Sequence, residues 1–199
     1  MKILVLYTAR SGTNNICDYF LRQNPNYKFF NQPFTLYQED GIIKVPYKEC
    51  IKYDNVLVKS EISYFYDLNV SKEQVLLEFD KVLLLSRKNK REQAISYIIA
   101  STAKNFLDKN KRGYYVEGID KDILDEIEEL QAKQHDKLLS FVDNSFRFFY
   151  YEDLYYGDFS ELFKYLDIKF IQTDFDDILS INNRYRHKDL PSKAIKTLT

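Results

Sequence analysis

The segment Lys2–Tyr7 (KILVLY) is an apolar, β-branched run with almost no alternation of polar and apolar residues. A strand with one wet face alternates, so a continuous apolar run fits a strand buried on both faces, as in a parallel sheet. Asn55–Lys59 (NVLVK) repeats the pattern, and Lys81–Ser86 (KVLLLS) repeats it more strongly. Helical signals lie between and after these runs. In ICDYFL, Ile16, Phe20 and Leu21 can share one face; Ser71-Lys-Glu-Gln74 has the form of a capping box; Arg91–Lys104 reads as a helix. Asp120–Val142 reads as one or two long helices, with Ile123, Ile127 and Leu130 at helical spacing, then Leu138 and Val142. Phe146–Tyr150 (FRFFY) is the expected last strand, Phe159–Leu166 a short helix, and Asn182–Thr199 a polar irregular end. Strands alternating with helices predict an α/β fold, a mostly parallel central sheet flanked by helices. At 199 residues, with no repeat or Pro/Gly-rich linker, one domain spanning 1–199 is expected.

Hydrophobic residues make up 45% of the chain and charged residues 30%, the balance of a globular protein. The formal net charge of −1 argues against bulk nucleic-acid binding, which needs a basic surplus to displace counterions. Cys17 and Cys50 match no metal-ligand spacing, and with only 2 histidines no metal site is expected. The opening MKILVLYTAR reaches Thr8 and Arg10 too soon for a signal peptide or membrane span, so the expectation is a cytoplasmic protein with reduced thiols and no membrane partner. The composition carries no information on oligomeric state.

Thr8-Ala-Arg-Ser-Gly-Thr-Asn-Asn15 joins the first strand to the first helix. Ligands of parallel sheets bind at the carboxyl ends of strands, and a helix N-terminus there offers free N–H groups to an anion. Gly12 permits close backbone approach, Ser11 and Thr13 bring hydroxyls, and Arg10 brings a charge. The alternative is an ordinary capped turn. The nucleotide-triphosphatase loop is absent, since no Lys follows Gly12. Arg87 follows the KVLLLS strand, and Ser96 lies nine positions on, inside the next helix. A guanidinium and a hydroxyl together suit a terminal phosphate, whereas the bland alternative is a solvated turn with a neutral mid-helix serine.

TARSGTNNICDYF resembles the 5′-phosphosulfate loop of the sulfotransferases that use 3′-phosphoadenosine 5′-phosphosulfate (PAPS), and LLLSRKNKREQAISY resembles their 3′-phosphate motif. The latter is particularly similar to bacterial carbohydrate sulfotransferases of the trehalose and Nod-factor type. Tyr151-Glu-Asp-Leu154 looks like a segment common near the end of this fold, so the resemblance runs in order from about residue 2 to residue 154. It implies a fold like that of the P-loop kinases, PAPS as cofactor with 3′,5′-adenosine bisphosphate (PAP) as product, and a small-molecule or carbohydrate acceptor. Arg10, Ser11, Gly12, Thr13, Asn14 and Asn15 would hold the 5′-phosphosulfate, and Arg87 and Ser96 the 3′-phosphate. Tyr151–Leu154 would be a packing and hydrogen-bonding corner. Asn14 and Ala9 depart from the hydroxyl residue and the Pro usual in that loop.

Sulfuryl transfer to an alcohol needs a base for the acceptor proton and positive charge near the leaving phosphate. Asn31-Gln-Pro-Phe34 resembles the Glu-Pro-Phe segment that carries a catalytic carboxylate in many carbohydrate sulfotransferases, but the position is Gln32 here. Val58-Lys-Ser-Glu61 resembles the Lys-Thr-His segment of the cytosolic type, which would make Lys59 the support of the leaving phosphate and Glu61 the base. For Glu61 an exposed carboxylate or an ion-pair partner is the alternative; Gln32 and Phe34 become substrate contacts. His135, between Gln134 and Asp136, reads as a surface residue, and His187 belongs to a basic run, Arg184–Lys188. Phe34–Tyr47 and Ser101–Gly118 are the expected acceptor walls. A nonenzymatic nucleotide- or glycan-binding relative that lacks its base is the second function class, and a small-molecule kinase the third.

Overall fold

The computed structural model describes residues 1–34, 37–39, 42–44, 47–66, 71–102, 119–142 and 146–183. The first half of the chain runs β1 (Lys2–Tyr7), α1 (Thr13–Gln23), β2 (Lys28–Asn31), β3 (Tyr37–Glu39), β4 (Ile42–Lys44), α2 (Tyr47–Cys50), β5 (Val56–Glu61), α3 (Ile62–Tyr66) and α4 (Lys72–Leu77). The second half runs β6 (Lys81–Ser86), α5 (Lys90–Thr102), α6 (Lys121–Leu139), β7 (Arg147–Tyr150), α7 (Tyr151–Tyr155), α8 (Ser160–Tyr165) and α9 (Gln172–Asn183).

The three apolar runs form the centre of a five-stranded sheet of order β2-β5-β1-β6-β7, parallel at every pairing. The expected α/β architecture is therefore present, and β3 and β4 form a separate antiparallel pair. Strand alternation divides the central residues into two layers. Ile3, Val5, Leu57, Leu83 and Leu85 pack with Ile16 and Phe20 of α1, Phe163 of α8 and Phe175 of α9. Leu4, Leu6, Val56, Val58, Val82 and Leu84 pack with Phe65 of α3, Val75 and Leu76 of α4 and Leu138 of α6. Each such side chain contributes about 2 kcal/mol on burial, which makes these layers the main stabilising element.

Local signals set the helix starts. The Ser71 hydroxyl accepts from Gln74 N at 3.3 Å, the Asn89 side chain accepts from Glu92 N at 3.0 Å, and Asp120 accepts from Asp122 N at 2.8 Å. One expectation needs correction. On α6 the buried positions are Leu124, Gln131, Gln134 and Leu138, while Ile123, Leu130 and Val142 are exposed. The inward stripe is thus rotated from the most apolar one, because part of it meets the polar ends of the strands. Arg91, in the first turn of α5 and partly exposed, donates to Asp125 and Glu128 of α6, at 2.8 and 2.9 Å.

The chain leaves β1 toward β2 and β5 on one side and later crosses to β6 and β7 on the other. Such a reversal opens a crevice beyond the carboxyl end of the central strand. The loop after β1, the end of β5 with Lys59 and Glu61, and the turn after β6 with Arg87 lie at that end of the sheet. Residues 103–118 of the second expected acceptor wall, residues 35–36, 40–41 and 45–46 of the first, and the basic run 184–188 with His187 lie outside the described residues. Among the described residues no helix is long and apolar enough to cross a membrane.

Candidate functional site

The loop after β1 is held from below. Thr8 N donates to Leu85 O at 3.0 Å, and the Gln93 amide donates to Thr8 Oγ1 at 2.8 Å and Ala9 O at 2.5 Å. Arg10 and Gly12 both take positive φ, 65° and 78°, which turns the chain sharply into α1. Gly12 is the N-cap of that helix, with no side-chain cap and no acidic residue in the first turn. The helix start thus has no acidic residue of its own to meet its N–H groups, the arrangement that favours a bound anion. The Ser11 hydroxyl beside them is buried and has no hydrogen-bond partner among the described residues. From the other side Tyr155 OH donates to Gly12 O at 2.7 Å and accepts from Asn15 Nδ2 at 2.9 Å, while its ring stacks on Tyr151 at 4.2 Å.

β5 brings the second group to this cradle. Lys59 is 7% exposed, its ammonium donates to the Asn14 side-chain oxygen, and it lies 5.6 Å from the Tyr7 ring centre. Burial lowers its pKa, and the nearby Cys17 and Asp18 offset only part of that shift. Two residues on, Glu61 Oε1 accepts from Ser63 Oγ at 3.1 Å and from Gln134 Nε2 of α6 at 3.2 Å. Gln32 is committed to the same edge. Its oxygen accepts from Glu61 N at 2.9 Å and Ser60 Oγ at 3.1 Å, and its amide donates to Tyr7 OH at 2.9 Å. Phe34, expected to touch substrate, is instead 1% exposed and packs against Tyr47 and Phe65 in the core. It follows the sharp turn at Gln32, which sends the chain under the sheet face.

The Arg87 and Ser96 pair separates. Ser96 Oγ accepts from Arg10 Nε at 3.1 Å, which joins the helix serine to the first loop. Arg87 is buried against Glu92 at 3.1 Å and Glu152 at 3.5 Å, with its guanidinium 4.4 Å from the Tyr151 ring centre. The Glu152 carboxylate also accepts from Lys88 N at 2.8 Å and Asn89 N at 3.2 Å. Burial alone would raise its pKa, but these N–H groups and the Arg87 charge outweigh it and the net shift is downward. Tyr151–Leu154 thus forms a hydrogen-bonding corner that fixes the turn after β6.

Further residues at the site were not selected from the sequence. His135, expected at the surface, is half-buried, with its ring against Phe148 and Tyr150 and Nδ1 3.1 Å from Ser86 Oγ. Ser86 Oγ also lies 3.1 Å from Thr8 Oγ1 and accepts from the Lys90 ammonium at 2.9 Å. In the Thr8–Ser86 pair either hydroxyl can donate, and the direction of the Ser86–His135 contact follows the imidazole tautomer. Burial lowers the His135 pKa, with the Lys90 charge adding to the effect, and burial lowers Lys90 to about 8. Gln134, which donates to Glu61, was not selected either. The available signal was the inward stripe of α6, where polar residues interrupt the spacing from Leu124 to Leu138.

No protein-family model and no curated protein matches the chain. Among the described residues no group of three or more His, Cys, Asp or Glu is arranged to hold a metal ion.

Proposed function

We propose that the protein is a PAPS-dependent sulfotransferase that acts on a hydroxyl, or less readily an amine, of a small acceptor. The observation that carries this reading is the buried, unpartnered Ser11 hydroxyl in a loop that opens α1, with Lys59 delivered to the same loop through Asn14. An orphaned buried hydroxyl costs stability, and a tetrahedral oxyanion is the partner that relieves it beside a helix N-terminus. The residues fit the cofactor on that ground. Ser11, Gly12, Thr13, Asn14, Asn15 and Lys59 would hold the 5′-phosphosulfate. Arg10 and Ser96, already paired, would meet the 3′-phosphate together with Arg87 after Glu92 swings away.

When bound, PAPS would supply an activated sulfuryl group for the acceptor oxygen, with PAP as the departing product. Glu61 takes the acceptor proton. Its Oε1 already accepts two hydrogen bonds, which orient the carboxylate and leave Oε2 as the basic oxygen. Lys59 and the helix start oppose the charge that develops on the leaving phosphate.

The second reading is a nonenzymatic nucleotide- or glycan-binding relative. Gln32 favours it, since that amide occupies the place resembling a catalytic carboxylate and is spent on Tyr7, Ser60 and Glu61. Calorimetry tests the shared part: PAP binds more tightly than AMP or ATP, Arg10→Ala weakens PAP, and Arg91→Ala leaves it unchanged. Equal effects of the two changes refute the assignment of Arg10 to the 3′-phosphate. Sulfate transfer to a broad acceptor panel separates the two readings.

A further inference from the structure

Helix α1 begins without the usual device that holds a first turn. In a capping box the N-cap side chain bonds the N–H three residues on, and the side chain there bonds back to the N-cap N–H. Either bond would occupy a donor that an anion needs. Here the N-cap is Gly12, which has no side chain, and three residues on stands Asn15. The two are joined instead by Tyr155, 140 positions beyond Asn15, whose hydroxyl lies 2.7 Å from Gly12 O and 2.9 Å from Asn15 Nδ2. A carbonyl only accepts, so the phenolic proton goes to Gly12 O, and the Asn15 amide donates to the phenolic oxygen. Neither bond uses a main-chain N–H. The hydroxyl is itself held in place: the Tyr155 ring stacks on Tyr151 at 4.2 Å and meets buried Phe159 edge-on at 5.1 Å. Tyr151 and Tyr155 are four positions apart and share one face of α7. Near the start of that helix Glu152 accepts from Lys88 N and Asn89 N. α7 is thereby anchored to the turn after β6 at one end and grips the loop after β1 at the other.

We infer that Tyr155 is a positioning residue for the anion: it caps α1 from outside the helix, and so orders the first turn while leaving that turn's main-chain donors to the ligand. This role rests on the reading of the loop as an anion site, for which the buried, unpartnered Ser11 hydroxyl is the ground, but not on which nucleotide carries the anion. A first turn that lacks a cap frays, because its leading N–H groups have no intrahelical partner. An anion that meets a frayed turn must order it on binding, and affinity falls by that ordering cost; a turn ordered beforehand removes it. An ordinary Ser, Thr or Asp cap would order the turn as well, but its oxygen would compete with the anion for the same N–H groups. A hydroxyl that bonds the carbonyl and the amide side chain instead separates the two effects.

Tyr155→Phe tests this on the full chain, because it keeps the ring and its contacts with Tyr151 and Phe159 and removes only the hydroxyl. Calorimetry with inorganic pyrophosphate is the first measurement, with PAP beside it. The variant binds pyrophosphate roughly tenfold more weakly, the scale of one or two hydrogen bonds. PAP loses the same factor, since the hydroxyl touches only the loop. In ¹⁵N–¹H spectra of the ligand-free variant, the Thr13, Asn14 and Asn15 amide signals broaden, and saturating pyrophosphate sharpens them again. Tyr165→Phe is the control. It removes a hydroxyl bonded to Val82 N and O near the start of β6, so it lowers the melting temperature and leaves both affinities at the wild-type value. Wild-type pyrophosphate affinity in Tyr155→Phe overturns the inference and keeps the loop as an anion site; a lowered melting temperature beside it assigns the hydroxyl to packing alone. A wild type that binds neither pyrophosphate nor PAP refutes the anion reading of the loop and this role with it. Pyrophosphate binding that Tyr155→Phe weakens, with no preference for PAP over AMP, refutes the PAPS reading and keeps Tyr155 as the positioning residue.

Discussion

Replacing Gly12 with Ala probes how tightly the cradle is built. Gly12 sits at φ +78°, and a Cβ there would lie 2.6 Å from Tyr155 Cε2, 2.8 Å from its hydroxyl and 2.9 Å from Tyr151 Cδ2. The left-handed backbone costs an L-residue about 1–2 kcal/mol, and overpacking a closed site costs a further 1–3 or so. Neither ring can yield cheaply. Tyr155 is pinned by its bonds to Gly12 O and Asn15, and Tyr151 lies between Tyr155 and the Arg87 guanidinium. The expected loss is therefore roughly 2–5 kcal/mol, a large share of the ~5–15 kcal/mol of an ordinary domain. Urea denaturation measures it, with the same substitution repeated in a Tyr155→Ala background. There the closest contacts are gone, and the cost of Gly12→Ala should fall toward the backbone value of about 1–2 kcal/mol. The same cost in both backgrounds, or a loss below about 0.5 kcal/mol in the first, refutes the steric account.

Two other outcomes follow from the site. Glu61→Gln keeps the hydrogen bonds to Ser63 and Gln134 available in shape but cannot take a proton, so transfer falls by roughly 10²–10⁴-fold while PAP affinity is unchanged; full turnover on a verified acceptor assigns the base elsewhere. Lys90 titrates at about 8 when folded, against an ordinary 10.5. Between those values the unfolded chain holds a proton that the folded chain has released, so Lys90 makes stability rise with pH from about 8 to 10.5. Denaturant melts of wild type and Lys90→Met across that range should differ by this rise, and superimposable profiles would show that the amine is not held away from water.

The strands were legible because a doubly covered strand must be apolar at every position. KVLLLS was expected at Lys81–Ser86 and lies there, and KILVLY is the central strand. β2 was not foreseen: KFFN is short, lies at the sheet edge and is mostly exposed, so it carries no continuous apolar signal. The cradle was legible as well, because Gly12, the hydroxyls and the strand-to-helix position are adjacent in the chain. Its clamp was not, since Tyr155 and Gln93 come from elements far along the chain. Lys59 and Asn14 were each selected, but only folding joined them.

By itself, the sequence determined that the fold is a covered parallel sheet and that a glycine turn opening a helix follows its first strand. Both are consequences of local chemistry, apolar continuity in one case and backbone freedom at a helix start in the other. The tertiary structure decided which face of α6 is turned inward and what that face means. By hydropathy, Ile123 and Leu130 make a better core stripe than Gln131 and Gln134, yet the isoleucine and leucine are exposed and the glutamines are buried. Hydropathy ranks side chains against water, whereas the middle of α6 lies against the carboxyl ends of β5 and β6, where Glu61 and Ser86 make the interior polar. Which environment a helix face meets depends on where the whole sheet places its strand ends, and no local spacing along the helix encodes that.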